Sequence, residues 1–316
     1  MRLGSFHARA LGELERKLGL LPWGTWLASG TRVQARVSCH KSRLYHQKAI
    51  AERVVRASGC AAAPPAGPDG EPDPGTQLVV VRVLRDEVTV SLDSSGALLH
   101  RRGYRLETAK APLRETLAAA LLLAGGWDPD TPLVDPMCGS GTIAIEAALL
   151  ARRIAPGAGR GFRFRHWRPW DDAAWAPLLA AAGAAERPRA PAEIVASDRD
   201  AGAMRAARAN AERAGVAADI RFVTRAVSDL EPQAGPGQLV SNPPYGVRVS
   251  EGRELRDLFA RIGQLCRDRL PAFGVTLLVP EAPLERATGL SFRELFRTQN
   301  GGLLVRAVHA AARSGG

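Results

Sequence analysis

Long apolar runs are missing from this chain of 316 residues. None reaches the roughly 18 residues that a bilayer-spanning helix needs. The opening "MRLGSFHARALGELERK" has no apolar stretch of the kind that heads a secretory signal. No membrane partner is expected, and the chain reads as cytoplasmic. Cysteine is scarce too. Cys39, Cys60, Cys138 and Cys266 lie far apart, with no C-x-x-C and no Cys/His cluster at zinc spacing. They read as free structural thiols, which excludes a disulfide framework, and no metal site is expected. Lysine is nearly absent: Lys17, Lys41, Lys48 and Lys110 are the only ones among 43 basic residues. With abundant Ala, Gly and Pro, that looks like GC-rich coding. Such a bias explains Arg over Lys but not the sign of the charge.

What is present is a basic excess. Lys+Arg number 43 against 32 Asp+Glu, a net +11. An excess of that size suits an acidic partner such as nucleic acid. Residues 1–110 hold 17 basic against 10 acidic residues, +7, so the excess concentrates at the N-terminal end. The length allows about two domains.

The N-terminal third predicts a small α+β domain. "TRVQARVSC" (31–39) alternates like a half-buried strand, and "LYHQKAIAERVVRASG" (44–59) reads as an amphipathic helix ending at glycine. "AAAPPAGPDGEPDPG" (61–75) can only be a loop. "QLVVVRVLRDEVTVSLDSSG" (77–96) is a hairpin around a polar turn at Arg85-Asp86-Glu87. From residue 112 the pattern becomes alternating helix and strand. Helices are expected from Pro112 to the Gly pair at 125–126, from Thr142 to about 153, over 201–214 and over 254–270. Strands are expected at 132–135, 193–198, 220–223, 238–242 and 274–280. This alternation argues for a doubly wound parallel sheet. The end departs from it: 292–311 holds two β-rich runs around Asn300-Gly301, a hairpin signal. A parallel sheet closed by an antiparallel hairpin resembles the class I S-adenosylmethionine (SAM) methyltransferase architecture.

"LVDPMCGSGTIAIEAAL" (133–149) is a strand, a Gly-rich turn and a helix. Gly139 and Gly141 allow a tight turn and close backbone approach. The helix beginning at Thr142 offers unpaired N–H groups, and Asp135 can accept a bond from an ammonium group. The spacing is not G-x-G-x-x-G, which disfavours a nicotinamide cofactor. The string closely resembles methyltransferase motif I of the enzymes that N-methylate nucleic acid. At the end of the next strand, Asp198 in "ASDRD" sits where an acid bonds ribose hydroxyls, and Asp200 reads as a helix cap. Many relatives in that group carry an Asp after the third strand to hold the adenine amine. Here that place falls on Ala226, and either Asp229 or the Ser228 backbone substitutes or that turn is purely surface.

"SNPPYG" (241–246) ends the fourth strand, at the carboxyl edge where open α/β sheets bind ligands. It resembles the [D/N/S]-P-P-[Y/F/W] signature of amino-group methyltransferases. An exocyclic amine is a poor nucleophile, because its lone pair is delocalised into the ring. Asn242 and the Pro243 carbonyl can accept its N–H bonds, aim the lone pair and stabilise charge developing on nitrogen. Pro243 and Pro244 hold those acceptors stiffly, and Tyr245 can stack on a base.

The resemblance extends over nearly the whole chain. "TVSLDSSGALLHRRGYRLETAKAPLRETLAAALLLAGGW" (89–127), "SCHKSRLYHQKAIAERV" (38–54), "RRIAPG" (152–157) and "TQNGGL" (298–303) are similar to segments of the bacterial THUMP-domain RNA guanine-N2 methyltransferases of large-subunit rRNA type. That resemblance implies a THUMP-like, partly ferredoxin-like RNA-binding domain over 1–105 and a Rossmann-like class I catalytic domain over 106–316. It also implies SAM as cofactor, with Pro112 and Leu113 near it. The relatives begin with a longer N-terminal region than this chain shows. Lys41, Arg43 and Lys48 either contact phosphates or form a merely solvated helix start. "GRGFRFRHWRPWDDAAW" (159–175) reads either as an insertion packing its aromatics on a sheet edge or as an RNA-contacting lid. The expected function is methyl transfer from SAM to a guanine N2 amine in RNA, rRNA ahead of tRNA, by a monomer. The alternatives are a DNA adenine-N6 or protein glutamine-N5 methyltransferase, or a non-catalytic RNA-binding protein on a vestigial fold.

Overall fold

Residues Met1–Leu99 together with Arg160–Leu178 form one unit, and His100–Gly159 with Leu179–Gly316 form a second. The computed structural model describes residues 1–64, 75–106, 113–244, 252–280 and 284–312.

In the first unit, five strands are ordered β1-β5-β4-β2-β3. They are β1 (Arg2–His7), β2 (Arg32–His40), β3 (Ala61–Ala62), β4 (Thr76–Leu84) and β5 (Glu87–Leu92). Helices α1 (Leu11–Gly19), α2 (Trp23–Trp26) and α3 (Gln47–Ser58) accompany them. The expected hairpin is present. Val79, Val81 and Val83 face Leu92, Val90 and Val88 across it, and all six are buried. Strand alternation puts them on one face, where Leu14 and Leu18 of α1 and Ile50 and Val54 of α3 join the same core. Ile50, Val54 and Ser58 recur every four residues, the stripe that defines α3. Gly59 closes α3 in the left-handed conformation at φ 66°. Strand β1, antiparallel to β5, was not among the sequence expectations. Its run of exposed and half-exposed residues, none of them buried, leaves little periodic signal.

The 160–178 segment belongs to this unit. Trp167 donates its indole N–H to Gln77 Oε1 (2.8 Å) and meets Trp26 edge-on at 5.6 Å. Arg168 bonds the Gly24 carbonyl at 2.9 Å. Phe162, Phe164, Trp170 and Trp175 pack on one another. The aromatics pack as an insertion would, though against the start of β4, an inner strand, and not against an edge strand.

The second unit holds α4 (Glu115–Ala124), β6 (Leu133–Asp135), α5 (Thr142–Ala151), α6 (Asp172–Ala184, whose first part lies in the insertion) and β7 (Ile194–Asp198). It continues with α7 (Ala201–Arg213), β8 (Ile220–Thr224), β9 (Gly237–Ser241), α8 (Gly252–Asp268), β10 (Phe273–Pro280), β11 (Arg293–Asn300) and β12 (Leu303–Ala310). The sheet order is β11-β12-β10-β9-β6-β7-β8. Strands β8, β7, β6, β9 and β10 run parallel, and β12 and β11 close the sheet antiparallel. This is the Rossmann-like methyltransferase sheet with its terminal hairpin. The hairpin turn is Gly301-Gly302, both at positive φ, and Asn300 pairs with Leu303. The expected turn at Asn300-Gly301 is therefore displaced by one residue. Cores lie on both faces, one under α4, α5 and α7 and one under α8.

Candidate active site

Strand β6 ends at Asp135, and the chain turns through residues 136–141 into α5. Gly141 is the N-cap of α5 at φ 84°. A Cβ there would lie 2.9 Å from Ala207 Cβ on α7 and 3.2 Å from Ala207 Cα. Only glycine lets the two helices approach so closely. Gly139 sits at φ 52° with nothing within 4 Å of its Cβ position, so the turn is open on that side. Helix α5 has no side-chain cap. Its first N–H groups, Thr142 among them, form a positive end beside that opening. Thr142 itself is buried.

Three contacts pin the turn. Cys138 N–H donates to the Ser197 carbonyl at 3.0 Å. Gly139 N–H donates to Asp198 Oδ2 at 3.0 Å. Asn210 of α7 is fully buried and donates its amide N–H to the Ser140 carbonyl at 3.1 Å. Asp198 also accepts the Asp200 N–H at 3.0 Å, so its carboxylate is fixed at the end of β7. Asp200 caps α7 by accepting from Gly202 and Ala203 N–H, as its position implied.

Asp135 is almost entirely buried. It accepts the Ser241 hydroxyl at 2.8 Å and the Met137 N–H at 3.3 Å. Burial dominates its titration and pushes it up to about 7. The two hydrogen bonds pull the other way, and the nearby Asp198 charge adds to the rise. Ser241 thus joins the end of β9 to the end of β6, a link that sequence spacing did not suggest. Burial also pushes the Cys138 thiol well above its ordinary range. All four cysteines are free.

One residue beyond Ser241, Asn242 leaves the sheet. Its side-chain Oδ1 is buried and has no hydrogen-bond partner among the described residues. An unpaired buried carbonyl oxygen costs about 1–3 kcal/mol, so such an atom asks for a ligand. Pro243 is buried and Pro244 exposed. Tyr245 lies outside the described residues, as does Pro112. Leu113 is buried in the core with Leu117 and Leu121. Its carbonyl accepts from Arg105, which also pairs with the buried Glu115 at 3.0 Å. Asp229 is exposed in the short turn after β8, accepting the Ser228 hydroxyl at 3.1 Å. Lys41, Arg43 and Lys48 are exposed in the first unit.

The ends of β6, β7 and β9 therefore bring Asp135, Gly139, Gly141, Asp198 and Asn242 to one sheet edge. The residues fit a cofactor with a cationic group and hydroxyls: buried and fixed carboxylates, an open glycine turn and a helix start. Beside them stands an acceptor, Asn242 Oδ1, with no donor among the described residues.

Residues 102–303 match the family described as "UPF0020: RMKL-like, methyltransferase domain". The ribosomal RNA large subunit methyltransferase K/L of Syntrophotalea carbinolica is 36% identical over 97% of this chain and 45% of that protein. The chain spans about half the length of the curated relatives it matches, 59% and 45% of two of them. Among solved structures, SMU.472, described as a putative methyltransferase complexed with SAH, is 28% identical at TM-score 0.87, covering 100% of this chain and 84% of that one. A protein from Listeria monocytogenes, described as a predicted N6-adenine-specific DNA methylase, is 32% identical at TM-score 0.82, covering 97% of this chain and 80% of that one.

Proposed function

We propose, for a chain that belongs to the RMKL-like methyltransferase family, that it methylates the exocyclic N2 amine of a guanine in RNA, with rRNA as the substrate and SAM as the donor. The observation that carries this reading is the orphaned Asn242 Oδ1 at the carboxyl end of β9, next to Ser241 and Asp135. SAM, when bound, supplies an electrophilic methyl group on a sulfonium. The rest is work for the chain. Asp135 and Asp198 would hold the ammonium and the ribose, and Gly139 and Gly141 admit the cofactor close to the backbone. Asn242 Oδ1 and the Pro243 carbonyl would accept the two amine N–H groups. That turns the nitrogen lone pair toward the methyl and stabilises the positive charge that grows on nitrogen. Tyr245 is proposed to stack on the base.

The same clamp would serve an adenine N6 amine or a glutamine amide. RNA is favoured by the net +11 of the chain and by the relative whose name is a ribosomal RNA methyltransferase. The first unit is proposed as the RNA-binding part, and the reaction as cytoplasmic. Single-turnover transfer from radiolabelled SAM decides the matter, with unmodified rRNA, tRNA, DNA and a glutamine peptide as competing acceptors. The expected product is N2-methylguanosine in rRNA. Label in DNA or peptide alone, or in no acceptor, defeats the reading.

A further inference from the structure

We infer that one end of the first unit's sheet is a platform for single-stranded RNA, on which Tyr45 stacks against an unpaired base while Lys41, Arg43, Lys48 and Arg85 take the flanking phosphates. The inference rests on the RNA reading above and adds to it a place and a form of RNA.

The first observation is an aromatic ring left in water. Tyr45 is 65% exposed, and its ring lies 4.1 Å from that of His46, tilted by 39°. Burying such a ring would gain about 1.5–3 kcal/mol, and the fold forgoes most of it. An exposed ring flanked in sequence by Arg43 and Lys48 is what an unstacked base uses, and it is tolerant of sequence because every base has a π-face. Bases inside a duplex are not available to it.

The second observation is the way the cations are mounted. The loop after β2 is clasped to the β4–β5 turn. Arg43 N–H donates to Asp86 Oδ1 at 2.8 Å, Asp86 N–H to Ser42 Oγ at 3.0 Å, and Arg85 N–H to the His40 carbonyl at 3.2 Å. Asp86 is thereby engaged and also pairs with Arg9 at 3.2 Å, so its charge is already balanced. Glu87 follows on β5 as the other acid of the turn.

The third observation is strain. Lys41 (φ 49°), Arg85 (φ 51°) and Asp86 (φ 66°) are three of the four non-glycine residues at positive φ among the described residues. A two-residue turn with both φ positive is ordinarily built from Asn and Gly. Here arginine occupies its first position, at a cost of roughly 1–3 kcal/mol that glycine would not incur. The Arg85 side chain is exposed, so packing does not set its identity. It puts a cation at the tip of the clasp.

The test uses the full chain and two labelled probes, a single-stranded oligoribonucleotide and a duplex of the same sequence, with affinity read by fluorescence anisotropy across a salt series. Tyr45→Ala should weaken single-strand binding about tenfold, leave duplex binding nearly unchanged, and be rescued by Tyr45→Phe. Arg85→Gly should raise or keep the melting temperature, yet reduce the slope of log affinity against log salt by about 0.7. A purely structural turn would not show that opposition. Wild-type single-strand affinity in Tyr45→Ala, equal loss for both probes, or an unchanged salt slope in Arg85→Gly overturns the platform. Methyl transfer to rRNA by the wild type is run alongside. If it proceeds while the Tyr45 result is negative, the platform falls alone. If the wild type neither binds nor methylates RNA, the parent reading falls too.

Discussion

Asn242 and Asp135 carry opposite messages about buried polar groups. Asn242 Oδ1 has no partner among the described residues, whereas Asp135 Oδ1 accepts from both Ser241 and Met137. Asn242→Ala should therefore leave folding and SAM affinity within a few-fold of wild type and lower single-turnover transfer by about 10²–10³, the usual loss for one preorganised partner of developing charge. Asn242→Asp keeps an acceptor and should retain partial activity. Undiminished turnover in Asn242→Ala would remove the amine clamp. Asp135 predicts a pH effect. Its folded pKa is about 7 against an ordinary 3.8, so between those values the folded chain holds a proton that the unfolded chain has lost. Stability without ligand should thus be full near pH 4 and decline as pH rises through 7. Glu146, also pushed by burial to about 7, contributes in the same direction. The comparison of wild type with Asp135→Asn isolates the Asp135 share, read as melting temperature between pH 5 and 8. If Asp135 holds the SAM ammonium, SAM affinity should climb through the same window and lose that climb in Asp135→Asn.

At the scale of elements, legibility followed the range of the contacts. The turn between β6 and α5 was readable because its glycines, its acid and its helix start lie within ten residues. The β9 end was readable because two prolines after an apolar run leave no other local structure. The pairing of Ser241 with Asp135, 106 residues apart, was not, since strand neighbours in a parallel sheet are set by crossovers. Nor was the clasp of residues 40–43 on the β4–β5 turn, which depends on the parallel register of β2 and β4. The α5–α7 contact yields a prediction at this scale. Gly141→Ala adds a Cβ 2.9 Å from Ala207 Cβ and forces alanine to φ 84°. Together these should destabilise the chain by about 1–3 kcal/mol and impair SAM binding. Adding Ala207→Gly should relieve the collision and not the dihedral, so stability in denaturant melts should recover only in part. Full recovery would mean that packing alone demands glycine at 141.

At the scale of the whole chain, the division into units differs from a cut at residues 105 and 106, and the difference has consequences for any fragment. Arg102 and Tyr104 reach Glu146 at 2.8 and 3.0 Å, and Arg105 reaches Glu115 at 3.0 Å. Both glutamates are buried. A fragment of residues 106–316 leaves them without these partners, and breaking a buried pair from one side costs about 3–5 kcal/mol. It also keeps Trp167 while discarding Trp26 and Gln77, its partners in the first unit. That fragment should unfold without cooperativity or aggregate. A fragment that starts at His100 and replaces 160–178 with a flexible linker keeps the ion pairs and drops the orphaned aromatics. It should melt cooperatively, stay monodisperse in light scattering and bind SAM. Its RNA affinity should fall below that of the full chain and respond less to salt, because the clasp cations Lys41, Arg43, Lys48 and Arg85 are gone and fewer counterions are released on binding. RNA affinity and salt slope equal to the full chain's would place the RNA footprint wholly in the second unit. Equal behaviour of the two fragments would mean that neither the glutamate partners nor the insertion's packing matters to the stability of the catalytic sheet.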